Sequence, residues 1–138
     1  MALSFAHGAV QWLAADIATT VYTVSGLDFQ PKAIRFYWMG LGSALNLYSI
    51  DIHARRGVGF ATGTADRLCV GAQDQDATGS AVCTSGYRTD CVAMTLTNTP
   101  AFDGLLDLNS ITSDGFTLIV DDATPVNLTI FWEAWGGS

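Results

Sequence analysis

Charged residues are scarce in this sequence. Asp, Glu, Lys and Arg together make up 14% of the 138 residues, whereas about a quarter is usual for a soluble domain. Lys32 is the only lysine and Glu133 the only glutamate, so every other acidic residue is an aspartate. Lys and Glu are good helix formers, whereas Asp favours turns and caps. Together with the 14 glycines, this bias weighs against a helical domain and favours an all-β one.

Positive charge is too sparse for nucleic-acid binding. The chain has six Lys and Arg residues and a formal net charge of −7. Contacts with phosphates need clustered basic side chains, and only Arg55 and Arg56 are adjacent. We therefore expect no nucleic-acid partner, and we interpret the acidic balance as an aid to solubility.

No apolar run is long enough to cross a membrane. The least charged stretch, residues 36–50, is shorter than the ~20 apolar residues of a spanning helix, and Gly40, Gly42 and Asn46 interrupt it. The N-terminus lacks the basic start of a secretory signal. A small domain with so few charges must expose apolar surface, which usually marks an association site. The sequence therefore predicts a member of an assembly that does not bind membranes.

Cysteine is rare, and its spacing excludes the common metal and redox motifs. Cys69, Cys83 and Cys91 form no CxxC pair and leave one residue over in any disulfide scheme. We therefore expect three free, mostly buried thiols, as in proteins of a reducing compartment. Cys83 and Cys91 are close in sequence and are the one plausible pair if a disulfide does form.

Residues that catalyse reactions or bind metals are also few. His7 and His53 are the only histidines, and Asp51 with His53 would supply two ligands where a zinc site needs three or four. Gly57-Val58-Gly59 lacks the lysine and the following helix of a phosphate-binding loop, so we interpret it as part of a strand. No serine elbow or local Cys–His motif is present. We therefore predict no catalytic residue, no cofactor and no metal, and hence a protein that is not an enzyme.

Alternation of apolar and polar residues predicts β-strands along most of the chain. The clearest run starts at Val126 and places every second residue, including Trp132, on one face. Asp114-Gly115 lies between two apolar runs and predicts a hairpin. Further strands are predicted at residues 20–24, 33–39, 58–62, 67–71, 91–96 and 105–111. About eight short strands separated by turns are typical of a single antiparallel β-sandwich or barrel, here one domain spanning residues 1–138.

The conformation of residues 1–19 stays open at this point. Val10, Leu13, Ala14 and Ile17 fit one face of a short helix as well as parts of a strand. The pattern alone does not decide between the two.

Parity divides the aromatic residues of the last strand between two faces. If Trp132 belongs to the core, then Phe131, Glu133 and Trp135 point outward, and Tyr37 points outward from the strand at 33–39. Two interpretations of this surface remain. Tyr, Trp and Phe are enriched in protein interfaces, whereas a flat ring beside an acid such as Glu133 is also suited to a sugar. We favour the interface, because it also explains the scarcity of charge.

Three stretches resemble a structural module of tailed-phage and prophage proteins. They are VSGLDFQPKAIRFYWMG (24–40), GVGFATG (57–63) and SDGFTLIVDD…VNLTIFWEAWGG (113–137). The closing pattern, with Trp132, Ala134 and Gly136 after an Asp-Gly-Phe turn, is also similar to the H-type lectin domain, a six-stranded sandwich that forms trimers. No sugar-binding residue of the lectin family can be matched here. Phe131 and Trp135 depart from the lectin pattern as bulky outward rings, which favours a partner surface over a sugar cleft.

The resemblance implies a jelly-roll or H-type-lectin-like β-sandwich and a non-enzymatic bacteriophage virion protein that forms a homotrimer. Capsid decoration, in which the protein binds the capsid shell as a cement protein, is the first expectation. A tail-fibre or receptor-binding head, and a lectin-like module that binds a host surface glycan, are the alternatives. The expected location is the virion, assembled in the host cytoplasm.

Overall fold

The computed structural model describes residues 2–40, 53–75, 82–97 and 101–137, and these residues form ten β-strands. In chain order they are β1 (Leu3–Trp12), β2 (Val21–Val24), β3 (Ala33–Met39), β4 (His53–Gly63), β5 (Asp66–Gln75), β6 (Val82–Arg88), β7 (Ala93–Leu96), β8 (Phe102–Thr112), β9 (Gly115–Asp122) and β10 (Leu128–Gly137). The described residues contain no helix. Consequently, none of their segments is a helix long and apolar enough to span a membrane.

The strands form two antiparallel sheets that pack as a β-sandwich. The six-stranded sheet has the order β1-β10-β3-β4-β5-β6, and the four-stranded sheet has the order β2-β9-β8-β7. Every strand pair in both sheets is antiparallel. The prediction of an all-β antiparallel sandwich is therefore confirmed.

The core between the sheets is built on three aromatic rings. Phe116 of β9 meets the ring of Trp132 edge to face at 5.3 Å and that of Phe36 at 5.9 Å. Trp132 is 6% exposed and Phe116 is fully buried. Such edge-to-face pairs add stability beyond the buried area. The predicted inward orientation of Trp132 in the last strand is thus confirmed.

Glycines in β4 make room for the packed interior. A Cβ atom at Gly57 would lie 2.0 Å from the ring of Trp38, and one at Gly59 would lie 1.9 Å from the carbonyl oxygen of Val92. Neither position tolerates a side chain without a shift of its neighbours. Gly57-Val58-Gly59 is therefore a strand segment with close approach of its neighbours, as the sequence predicts.

The number of strands exceeds the predicted eight for two reasons. Residues 3–12, whose conformation the sequence left open, form β1. The helix-like spacing of apolar residues extends past Trp12, where the strand ends and a turn follows. Residues 82–88, which were not predicted as a strand, form β6. This strand contains only two large apolar residues, and small residues (Cys, Thr, Ser and Gly) lie between them. Its sequence therefore shows no clear apolar–polar alternation. The hairpin at Asp114-Gly115 is confirmed by the pairing of β8 with β9.

The two cysteines that lie together are not the pair that sequence distance made plausible. Cys83 is exposed on β6, whereas Cys69 and Cys91 are buried with their Sγ atoms 3.5 Å apart. Sequence distance is a poor guide here because β6 alternates and turns the Cys83 side chain away from the core. All three cysteines are free thiols. The side chains of the Asp51–His53 pair lie outside the described residues.

Candidate functional site

All four predicted surface residues lie on the outer face of the six-stranded sheet, which we call the outer face. Tyr37 comes from β3, and Phe131, Glu133 and Trp135 come from the adjacent β10. Phe131 is paired directly with Tyr37 across the two strands. Each of the four is partly buried, while their neighbours in sequence are fully buried on the other side of the sheet. The strand parity derived from sequence therefore brings these residues together.

An unbroken row of apolar residues crosses the outer face from one edge of the sheet to the other. Successive pairs in the strand register place one such residue on each strand, in the order Ala9, Phe131, Tyr37, Val58, Val70 and Tyr87. Neighbouring strands are about 4.8 Å apart, so this apolar row is about 24 Å long. At its end, Tyr87 is 72% exposed.

Most of the large exposed hydrophobic residues of the described chain share this face. Leu3 and Phe5 on β1 are 81% and 51% exposed, and Phe5 packs against Trp135 with ring centroids 5.6 Å apart. The others on the outer face are Met39, Phe60, Leu68, Val70 and Tyr87. Among the described residues, three large exposed hydrophobic residues lie elsewhere: Ile17, Val21 and Phe102. Such a concentration is unusual on a free surface and typical of an association site.

An ion pair lies beside the apolar row. Glu133 Oε2 accepts hydrogen bonds from Arg35 Nε at 2.8 Å and from the hydroxyl of Tyr37 at 3.3 Å, and it contacts Arg35 Nη2 at 2.5 Å. The Arg35 guanidinium also lies 4.9 Å from the ring centroid of Tyr37 and 5.5 Å from that of Trp135. Both charges are therefore satisfied by neighbours on the same face.

The electrostatics of Tyr37 follow from this arrangement. Desolvation raises the pKa of its hydroxyl, and so do the charge of Glu133 and the hydrogen bond to it, while Arg35 acts in the opposite direction. The tyrosine is therefore neutral at physiological pH, and it serves as a hydrogen-bond donor rather than a base.

A second ion pair occupies the far end of the outer face. Arg56 on β4 donates to Asp74 on β5 at 2.9 Å, and hydrogen bonds from Cys83 and from Arg56 lower the pKa of Asp74. Like Arg35 and Glu133, these two residues neutralise each other within the same face. The two ion pairs thus balance most of the charge around the apolar row, and the exposed Asp66 at the start of β5 adds one negative charge to the face.

A pocket of about 220 Å³ opens on the outer face beside Trp135. Ala33, Phe60 and Leu68 line it together with Trp135, and Arg35 contributes to its wall. Its size and apolar lining suit one side chain of a partner or one sugar ring.

Several members of this surface were not identified from the sequence. Val58 and Val70 join the apolar row only through strand register, which no single strand reveals, and Tyr87 lies on β6, which was not predicted as a strand. Arg35 has the same parity as Tyr37, and this parity was the one signal that could have identified it. His7 also lies on this face, opposite Glu133 in the register. Within the described part of the chain, no group of three or more His, Cys, Asp or Glu residues could hold a metal ion.

No protein-family model matches the chain, and no curated protein matches it either. Among solved structures, the chain is similar to the tailspike protein gp49 from Acinetobacter baumannii bacteriophage Fri1, a capsular polysaccharide depolymerase. That similarity has a TM-score of 0.35 and 5% identity, and it covers 97% of this chain and 18% of that one.

The chain is also similar to the tailspike protein of Acinetobacter baumannii phage AM24, with a TM-score of 0.34 and 10% identity over 96% of this chain. It spans 18% and 26% of the length of the two tailspike chains. Similarity at this level carries no argument about function.

Proposed function

We propose that this chain is a non-enzymatic structural protein of a bacteriophage virion, and that it assembles through its outer face. The observation that carries the proposal is the apolar row that crosses all six strands. A face of this kind is stable when another surface covers it, since burial of apolar area contributes about 25 cal/mol per Å². The resemblance of residues 24–40, 57–63 and 113–137 to phage structural proteins supports the virion as the place of assembly.

A protein partner fits this face better than a sugar. Protein interfaces are rich in Tyr, Trp, Phe and Arg and poor in Lys and Glu, which is also the composition of the outer face. A sugar platform would need the Glu133 carboxylate for hydroxyl groups of the ligand, but Glu133 already accepts hydrogen bonds from Arg35 and Tyr37. The pocket beside Trp135 keeps carbohydrate binding as the second candidate function.

The partner that we propose is a second copy of this chain. Because the ion pairs Arg35–Glu133 and Arg56–Asp74 are internal to the face, most of its charge is already balanced, and the face matches another apolar surface like itself. Six strands and the seven residues of β3 give a face of roughly 600 Å² per copy. Three such faces packed around a threefold axis bury about 1,800 Å² in total, which is about 600 Å² at each contact between neighbouring copies.

The assembly that we propose is a homotrimer located on the capsid shell as a decoration protein. In a closed trimer, one part of the face on each subunit contacts a different part of the face on the next subunit, and such a ring suits a protein that repeats over a shell. A tail-fibre or receptor-binding head is the second location. Electron microscopy of virions with and without the protein distinguishes the two, because density on the shell supports decoration and density at the tail contradicts it.

The association itself is tested by Val70→Ser combined with Tyr87→Ser. Both side chains belong to the apolar row and are well exposed, so the subunit should stay folded while its trimeric mass falls to that of a monomer. Light scattering after size exclusion measures the mass.

Ile17→Ser combined with Val21→Ser is the matched control, since it removes two exposed apolar side chains away from the outer face and should keep the mass of the parent. A monomeric parent, or a Val70/Tyr87 variant that keeps its oligomeric mass, contradicts the proposal. If the parent binds a glycan array and Trp135→Ser abolishes that binding while the mass stays unchanged, the carbohydrate function is correct instead.

A further inference from the structure

Two thiols from different sheets meet inside the sandwich. Cys69 lies on β5 of the six-stranded sheet, and Cys91 lies two residues before β7 of the four-stranded sheet. Both side chains are fully buried, and their Sγ atoms are 3.5 Å apart. The proposed association surface does not involve either residue, because both point away from the outer face.

Polar contacts around this pair hold the two chain segments together. Arg67, two residues before Cys69, donates to both carboxylate oxygens of Asp107 on β8, at 2.7 Å and 2.8 Å. The same guanidinium donates to the carbonyl oxygen of Asp90 at 3.1 Å, and Asp90 precedes Cys91 directly. The segments that carry the two thiols are therefore positioned against each other by contacts other than the thiols themselves.

The remaining movement needed for a covalent bond is small. A disulfide has an S–S length of about 2.05 Å, so the two sulfur atoms must approach each other by about 1.5 Å. Cys91 belongs to no strand, and its backbone is therefore less constrained than that of Cys69. Cys83, in contrast, is exposed on the outer face, where its thiol donates to Asp74.

We propose that Cys69 and Cys91 form an intramolecular disulfide that links the two sheets when the protein meets a disulfide oxidant. In the first step, the thiolate of one cysteine attacks oxidised glutathione and releases one glutathione thiol. In the second, the other protein thiolate displaces the second glutathione and closes the bond. The two protein thiols lose two electrons and two protons in total, and these reduce one glutathione disulfide to two thiols.

The reaction is slow while the sandwich stays closed. The hydrogen bond with Cys69 and burial both raise the pKa of the Cys91 thiol, so the reactive thiolate is scarce at neutral pH. Closure of the bond therefore occurs during folding or through transient opening of the segment before β7, and alkaline pH accelerates it. Once formed, the bond restricts the unfolded chain between the two sheets.

The test uses the full chain refolded in oxidised and reduced glutathione at pH 8. We expect the number of free thiols to fall from three to one and a single bond between the peptides that contain Cys69 and Cys91. The thermal midpoint should rise by about 5–10 °C, and dithiothreitol should reverse this rise.

Cys83→Ser is the matched control and should show the same rise, whereas Cys69→Ala should lose it. If Cys69→Ala does not fold, the peptide map of the parent protein and the response of Cys83→Ser decide the question alone. Three remaining thiols after refolding, a bond that includes Cys83, or a Cys69–Cys91 bond without a higher midpoint each overturn the proposal.

Discussion

The two sheets of the sandwich present different outer faces. On the four-stranded sheet, the register aligns Thr23, Thr117 and Ser110 in one row, and the hydroxyls of Ser110 and Thr117 are hydrogen-bonded at 2.6 Å. On the six-stranded sheet, the corresponding row is apolar from edge to edge. A polar row is well hydrated by water, whereas exposure of an apolar row to water is unfavourable. The same alternating strand pattern therefore makes one face a solvent surface and the other an association surface.

This comparison also explains why the chain has so few charges. A domain of this size usually solvates both outer faces, and charged residues serve that purpose. Here the four-stranded face relies on Thr, Ser and Asp, and the outer face contributes two internal ion pairs and Asp66. The low fraction of charged residues in the sequence is thus explained by the small number of charged residues on the outer face.

The largest expected effect separates the core from the outer face within one strand. Trp132→Ala should lower the free energy of unfolding by about 3–5 kcal/mol, because removal of a buried aromatic ring leaves a large cavity. Trp135→Ala, three residues along on the outer face, should cost about 1 kcal/mol, since its ring is partly exposed. Urea denaturation of both variants measures the difference. Equal losses would contradict the assignment of the two rings to opposite faces.

The second effect concerns the ion pair that joins the two sheets. Arg67→Ala leaves the carboxylate of Asp107 mostly buried without its partner, and we expect a loss of about 2–3 kcal/mol, somewhat less than for a fully buried pair. Arg88→Ala is the control, because its partner Asp90 is well exposed and such surface pairs contribute below about 1 kcal/mol. Denaturation curves that rank Arg88→Ala above Arg67→Ala would show that the inter-sheet pair is not the stronger contact.

The third effect concerns salt and tests how the outer face binds its partner. Because its two ion pairs are internal, association should not depend on charge steering between copies. We expect the oligomeric mass to stay constant, or to increase slightly, between about 50 mM and 500 mM sodium chloride, at a protein concentration near the dissociation midpoint. Dissociation at high salt would show that charges across the interface, and not the apolar row, hold the copies together.

The sequence predicts individual strands, but it does not predict which residues of neighbouring strands are paired. Alternation was enough to place Trp132 inward and Trp135 outward, because parity is a property of a single strand. The apolar row depends on register between strands, so Val58 and Val70 could not be recognised as members. Tyr87 was missed for a different reason, since the small polar residues of β6 hide its alternation.

The contact between the two buried thiols could not be predicted from the sequence either. Contact between Cys69 and Cys91 requires that the sheets pack against each other, and spacing along the chain contains no information about that packing. Cys83 and Cys91 were the one plausible pair by sequence distance, but Cys83 is exposed and Cys91 is buried, because nearness in sequence says little about nearness across a sandwich. The hairpin at Asp114-Gly115 was predicted correctly, since the turn and both of its strands are contiguous in sequence.

The smallest expected effect is a pH dependence on the four-stranded sheet, where Asp121 lies at the end of β9. Desolvation raises the pKa of this carboxyl, as does the nearby charge of Asp107, while Arg67 lowers it. A folded-state pKa above the unfolded value of about 3.9 means that the neutral form favours folding. This contribution is fully present below pH 3.9 or so and is lost as the pH rises through the folded-state pKa.

Replacement of Asp121 by Asn removes the ionised form and should therefore stabilise the protein slightly at pH 7. At pH 3 the carboxyl of the parent is largely neutral, so the two proteins should have nearly the same thermal midpoint. Midpoints measured at both pH values test the sign of the effect, and the low-pH pair serves as the internal control. A variant that is less stable than the parent at pH 7 would mean that the Asp121 carboxylate is stabilised by Arg67 more than it is opposed by burial and by Asp107. In that case the four-stranded face would depend on its charges, and it would differ even more from the apolar outer face.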